Sequence, residues 1–195
     1  VLRELGVPTV LCGQLEGHPY RDVFSTVYSD DEEGGHFAAL AMKDRGRKDI
    51  VAVLGPQDNP AVVDRLRGYR AVLGEDLPDA NVIYTGWNSG DGYQAMHQIL
   101  AREIAFDGVL CGSDRIAAGV ITALNEAGLS VPADVSVVGF DDHEIAARCV
   151  PALTTVRQPL REEGHMAANI ALDMIKGTEP TRPEPISYAV FCLKK

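Results

Sequence analysis

Short unbroken runs of Val, Ile and Leu recur along this chain, separated by stretches in which apolar residues return every three or four positions. The runs predict strands at Pro8–Cys12, Phe24–Tyr28, Ile50–Leu54, Val82–Tyr84, Val109–Cys111, Val135–Phe140 and Ile186–Leu193. The periodic stretches predict helices over Gly34–Arg45, Pro60–Leu73, Gly92–Ile104, Ile116–Ala127 and Leu160–Ile175. Within the first helix Phe37, Leu40 and Ala41 share a face, and within the last Met166, Ile170, Met174 and Ile175 point inward. Asn59 before Pro60 makes an N-cap followed by a proline in the first turn, and Gly128 and Gly177 stand where C-caps belong. The Pro-containing passage before Leu160 reads as a connection, and Thr178–Pro185, with three prolines, as a linker or crossover.

The predicted strands do not alternate polar with apolar, as expected when helices cover both faces of a sheet. Strand and helix alternate with short loops, which predicts an α/β chain with a parallel, doubly wound sheet. With 195 residues the chain sits between one domain and two. Its apolar runs are too short to cross a bilayer. Val1 is not an initiator Met, so the natural start is expected upstream.

A net charge of −10 changes the picture of possible partners, because an acidic chain is repelled by phosphate backbones unless its cations cluster. The nearest clusters, Lys43–Lys48 and Arg65–Arg70, are short and interrupted by Asp44 or apolar residues, so this segment is not expected to hold DNA by itself. Cys12, Cys111, Cys149 and Cys192 are isolated in apolar surroundings, and the His residues form no HxH or HExxH pattern. Neither a metal nor a cofactor is expected, and the thiols read as small buried side chains in a reducing cytoplasm.

In a parallel sheet, ligands bind beyond the carboxyl ends of the strands. Four strands run there into polar loops: Gly55-Pro56-Gln57-Asp58-Asn59, Thr85-Gly86-Trp87-Asn88-Ser89, Gly112-Ser113-Asp114 and Asp141-Asp142-His143. Planar hydrogen-bonding groups beside the only Trp suit a sugar or another polar ring. Asp58 or Asn59, and Ser113 or Asp114, serve equally well as helix N-caps, Trp87 as a packing residue, and Asp141-Asp142 as a turn. Their joint position at one sheet edge favours a site.

Catalytic readings are weaker. Asp141, Asp142 and Glu144 lie in one loop, not across a cleft, and Gly112-Ser113-Asp114 is no GxSxG elbow. Gly90-Asp91-Gly92-Tyr93-Gln94-Ala95 fits GxGxxA, but Thr85–Ser89 separate it from its strand, whereas a dinucleotide turn follows at once. No enzyme is expected.

The segment Val131-Pro132-Ala133-Asp134-Val135-Ser136-Val137-Val138-Gly139-Phe140-Asp141-Asp142 strongly resembles the LacI/GalR family of bacterial transcriptional regulators. Pro151–Pro159 resembles that family's crossover segment, and Arg65-Leu66-Arg67-Gly68-Tyr69 and Asp30–Gly35 are further matches in the right order. The likeness runs over nearly all of Val1–Leu193. It implies a two-lobed periplasmic-binding-protein-like type I fold with a crossover hinge, a small effector between the lobes, a homodimer, and a cytoplasmic repressor. Operator DNA would be read by a helix-turn-helix headpiece that, with the start of the N-terminal lobe, is expected before Val1. Residues 1–28 and 157–185 would belong to the N-terminal lobe, and 29–156 with the final strand 186–195 to the C-terminal lobe.

By the same resemblance Arg65 grips the effector, Asp141 accepts its hydroxyl hydrogens, Trp87 stacks on it, Ser113 stands where an Asn is usual, and Gln158 lies at the hinge. Gly13 stands where an acidic residue is common, which removes one sugar contact. The guanidinium fork and the carboxylate, flanking a ring on Trp87, would select a polyhydroxylated ligand. The alternative is a periplasmic sugar-binding protein of a transport system, which would carry a signal peptide upstream instead of a headpiece.

Overall fold

The computed structural model describes residues 6–13, 24–102, 104–178 and 190–192. The chain divides into two compact units, Val1–Asp30 with Pro159–Tyr188, and Asp31–Gln158 with Ala189–Lys195.

In the first unit, strand β1 (Val10–Cys12) pairs in parallel with β2 (Ser25–Val27), and a long helix (Leu160–Lys176, α6 in chain order) packs on both. Val27 and Ile170 are buried there, with Val10, Ala167 and Met174 partly buried beside them. Met166 and Ile175, expected inward, are 38% and 68% exposed, because the contact with the strands is a narrow stripe centred on Ile170. Gly177 ends the helix in the left-handed conformation, at the expected C-cap.

The second unit alternates helix and strand as the pattern predicts: α1 (Asp31–Asp44), β3 (Ile50–Leu54), α2 (Pro60–Leu73), β4 (Val82–Tyr84), α3 (Ser89–Ala101), β5 (Gly108–Cys111), α4 (Asp114–Glu126), β6 (Ser136–Asp141), α5 (Glu144–Arg148), β7 (Thr154–Arg157) and β8 (Val190–Cys192). The sheet order is β4-β3-β5-β6-β7-β8, parallel throughout except that β8 runs antiparallel to β7. Of the predicted closing strand, Ile186–Ala189 and Leu193 lie outside the described residues.

Each apolar strand serves two cores. Ile50, Ala52, Leu54, Leu110, Val138 and Phe140 face α1 and α2, whereas Val51, Val53, Val109, Cys111 and Val137 face α3 and α4. This is why the strand sequences carry no polar alternation. Asn59 caps α2 by accepting from the Ala61 amide at 3.0 Å, with Pro60 in the first turn as predicted.

The structure corrects three expectations. Helix α1 begins at Asp31, with Asp31, Glu32 and Glu33 complementing the positive helix end, and not at Gly34. Its buried face carries Ala38, Ala39, Ala41 and Met42, while Phe37 and Leu40 are only half-buried. Strand β7 occupies part of the passage expected to be a plain connection.

Small residues line α1 because α2 crosses it backbone to backbone. A Cβ on Gly68 would lie 2.0 Å from the Glu32 carbonyl oxygen, and one on Gly35 would lie 2.3 Å from the Arg65 carbonyl oxygen. The pair α3 and α4 crosses in the same way at Gly92 and Gly119. These crossings set the helix starts, and the residues they carry, against the carboxyl edge of the sheet.

Candidate functional site at the carboxyl edge of the sheet

Arg65 projects from α2 beneath the ends of β5 and β6, and it is buried. Its Nε donates to Asp31 Oδ1 at 2.7 Å, and Nη1 donates to the Gly112 carbonyl oxygen. Nη1 also lies 3.7 Å from Asp141 Oδ1, and the guanidinium carbon sits 3.7 Å from the centroid of the Phe140 ring. A buried arginine needs such compensation, and this one has a carboxylate, a carbonyl and an aromatic face.

Asp141 ends β6. Gln158 Nε2 donates to its Oδ1 at 2.7 Å, so Arg65, Asp141 and Gln158 converge on one point. Burial raises the Asp141 carboxyl above the usual carboxylate range, and the nearby Arg65 charge opposes that shift. Asp141 and Asp142 have φ of 110° and 54°, where residues other than glycine are rare and where strain marks functional segments. Two groups of this cluster keep open positions among the described residues: Nη2 of Arg65 and Oδ2 of Asp141. Donors and an acceptor side by side match the hydroxyls of a polyol.

Trp87 lies between β4 and α3, half-buried, and packs against both cores. A Cβ on Gly55 would come within 2.5 Å of its ring, so the indole covers the end of β3 where only glycine fits. Among the described residues no hydrogen bond or cation–π contact joins Trp87 to Arg65 or Asp141. Ser113 caps α4 by accepting from the Ile116 amide at 3.2 Å and is 4% exposed, which uses one of the hydroxyl's two lone pairs and leaves its hydrogen.

Sequence reasoning missed one member of this edge, Asp31, and read another, Asp114, only as a loop residue or helix cap. Asp31 aligns Arg65 from across the α1–α2 crossing, and nothing local to Asp31 signals that. Asp114, buried at the start of α4, accepts from Thr155 Oγ1 and from the His143 amide. Its carboxyl is pushed up to about 7 by burial, against those hydrogen bonds. Tyr69 donates to the Cys111 carbonyl oxygen beneath the site, and burial raises its phenol far above the ordinary value.

The competing chemistries find no geometry among the described residues. Gly92 of the GxGxxA match sits in α3 against α4, and Asp91 forms a capping box with Asn88 instead of facing a pyrophosphate. His143 Nδ1 accepts from the Ile145 amide at 3.3 Å and caps α5, while Ser113 caps α4. Among the described residues no group of three or more His, Cys, Asp or Glu side chains is placed to hold a metal, and no helix is long and apolar enough to cross a membrane.

Residues 39–190 match the family model of the periplasmic binding protein-like domain. The chain belongs to that family. Among relatives of this periplasmic binding protein-like domain, the ribose operon repressor of Escherichia coli K12 is 33% identical over 177 residues, covering 89% of this chain and 53% of the relative. The regulator CelR of Thermobifida fusca is 36% identical over 187 residues, covering 93% and 55%. The chain thus spans about half the length of the curated relatives it matches. Solved structures agree with the doubly wound reading. A CelR–cellobiose complex superposes with a TM-score of 0.84 at 36% identity, covering 93% of this chain and 57% of that one. A ribose-bound LacI-family regulator of Enterococcus faecalis superposes with a TM-score of 0.84 at 26% identity, covering 99% and 72%. These relatives are LacI-family transcription regulators, not enzymes, and the type I periplasmic-binding-protein-like fold expected from the sequence is the fold observed.

Proposed function

We propose that this domain is the effector sensor of a LacI-type transcriptional repressor, and that its effector is a sugar held at the carboxyl edge of the second unit. The observation that carries the reading is the convergence of Arg65, Asp141 and Gln158, with Nη2 of Arg65 and Oδ2 of Asp141 making no hydrogen bond among the described residues. Cellobiose and ribose in the two structural relatives are ligands of the chemistry this cluster suits. In this reading Asp141 accepts hydroxyl hydrogens, Nη2 of Arg65 and the Gln158 amide supply donors, Ser113 offers its hydroxyl hydrogen, and Trp87 presents an aromatic wall. The effector binds between two lobes, 29–156 forming the larger part of one. The repressor is cytoplasmic and works as a homodimer on operator DNA through a headpiece outside these residues. Effector binding shifts an equilibrium between two states of that dimer with different operator affinity.

The test is a titration with ribose and with cellobiose followed by the fluorescence of Trp87, with Trp87→Phe as the control. A saturable change that Asp141→Asn and Gln158→Ala each weaken about tenfold, as expected for one hydrogen bond to a charged group, supports the assignment. Binding that survives both substitutions unchanged places the sugar elsewhere and overturns it.

A further inference from the structure

Asp114 is buried at the start of α4, yet it does not cap that helix, because Ser113 already does. Its carboxylate reaches across the sheet edge instead. Oδ1 accepts from the Thr155 hydroxyl of β7, and Oδ2 accepts from the His143 amide at 2.7 Å. The Thr155 hydroxyl oxygen also receives the Asp142 amide, at 3.3 Å. Strand β6 makes room for the carboxylate with Gly139, where a Cβ would lie 2.3 Å from Oδ1. Thus the Asp141–His143 loop, with its two left-handed residues, is anchored through one carboxylate. Such a backbone persists only where its surroundings hold it there.

We propose that Asp114 is a positioning residue for effector binding: charged, it ties the Asp141–His143 loop to α4 and β7, and neutral, it releases the loop and effector affinity falls. The proposal rests on the assignment of Asp141 to the effector. A carboxylate accepts at both oxygens, whereas a carboxylic acid carries a hydrogen on one of them: on Oδ2 it displaces the His143 amide, and on Oδ1 it reverses the Thr155 bond, so that the Thr155 oxygen must accept that hydrogen beside the Asp142 amide.

The surroundings set where this happens. Facing Asp114 are the Asp141 and Asp142 carboxylates from the loop, the Cys111 thiol from β5 and the Cys149 thiol beyond α5, with Thr155 and the His143 amide as donors. Arg157 lies behind Asp142, to which its Nε donates at 2.7 Å, and the His143 ring lies by Asp141. Burial raises the Asp114 carboxyl to about 7, helped by the two neighbouring carboxylates and opposed by the two hydrogen bonds. Since binding favours the charged form, each effector bound below that value expels a proton, and affinity falls with acidification by up to about tenfold per pH unit. Between pH 8 and pH 6 the expected loss is about tenfold. Asp141 titrates in the same direction, so the two must be separated by substitution.

The experiment measures ribose and cellobiose affinity from pH 6 to pH 8 for the wild-type chain, Asp114→Asn and Thr155→Val, together with the His143 amide resonance in the unliganded proteins. The expected result is an amide that shifts with a midpoint near pH 7 in the wild type and stays fixed in Asp114→Asn. The same variant should bind at pH 8 about as weakly as the wild type does at pH 6, with a shallower profile over this range, what slope remains belonging to Asp141. Thr155→Val, which keeps the carboxyl, should weaken binding while retaining a pH-dependent amide. An amide that does not titrate overturns the proposal whether or not a sugar binds. Affinity that ignores pH, or a pH dependence as steep in Asp114→Asn as in the wild type, overturns it while leaving the effector assignment standing. A titrating amide in a chain that binds neither sugar overturns the effector assignment, and the proposal with it.

Discussion

Replacing Arg65 by Met removes the guanidinium from a carboxylate that is only 7% exposed, and withdraws a donor from the Gly112 carbonyl oxygen. Breaking a buried ion pair from one side costs about 3–5 kcal/mol, because a charge remains in a medium that solvates it poorly. For a chain of this size that corresponds to a fall in Tm of roughly 10 °C. The double variant Asp31→Leu/Arg65→Met removes both charges and fills the space with apolar atoms, so it should recover most of the loss, within about 2 kcal/mol of the wild type. Thermal unfolding at pH 7.5, followed through Trp87, reads the second unit directly. On the proposed reading, the double variant should bind no sugar, since Nη2 of Arg65 is gone. A single variant within about 1 kcal/mol of the wild type, or a double variant no more stable than the single, would refute the reasoning that Arg65 is held by Asp31.

Gly68→Ala puts a methyl group 2.0 Å from the Glu32 carbonyl oxygen and 2.6 Å from the His36 amide nitrogen. It should destabilise the chain by about 1–3 kcal/mol despite the better helix propensity of Ala, checked by thermal unfolding against Gly90→Ala, where no atom lies near. Asp114→Asn should be stabilising in alkaline solution: a carboxyl at about 7 in the fold and 3.8 in the unfolded chain binds more protons when folded. Its contribution therefore weakens the fold as pH rises from about 4 to 7, by up to about 4 kcal/mol. The gain in Tm on substitution should thus be larger at pH 8 than at pH 5, and a gain independent of pH would contradict it. Cys111 is fully buried and its thiol is pushed up in pKa, whereas Cys12 is exposed. Mapping of sites labelled by a thiol reagent should find Cys12 modified in the native chain and Cys111 only after denaturant is added.

The five parallel strands of the second unit divide into those that announce themselves and one that does not. Ile50–Leu54 and Val135–Phe140 are apolar on both faces, which only a covered strand tolerates, and the unbroken runs follow from that. Thr154–Arg157 carries the same structural duty with Thr and Arg, between Pro151 and Pro159, so nothing in its composition separates it from a loop. The buried side of α1 was hidden for a related reason: hydrophobic size points to Phe37 and Leu40, but the approach of α2 selects Gly and Ala. At the candidate site, Arg65, Asp141 and Gln158 could be named because they stand in recognisable segments. That Arg65 spends its Nε on Asp31 depends on two helices 34 positions apart meeting in space, which no local pattern encodes. Asp114 was legible only as one of two capping candidates, since its true partners, Thr155 and His143, arrive from later in the chain.

The glycine crossings have a mechanical side. Where two helices are separated by interdigitated side chains, rotamer changes absorb small displacements before they reach the neighbour. Helices α1 and α2 have no such cushion at Gly35 and Gly68, because main chain rests on main chain. A tug delivered to the start of α1 at Asp31 is therefore passed undamped to Arg65 on α2, and the two helices travel as one stiff lever. In the proposed sensor, a part that does not give would carry the arrival of an effector onward.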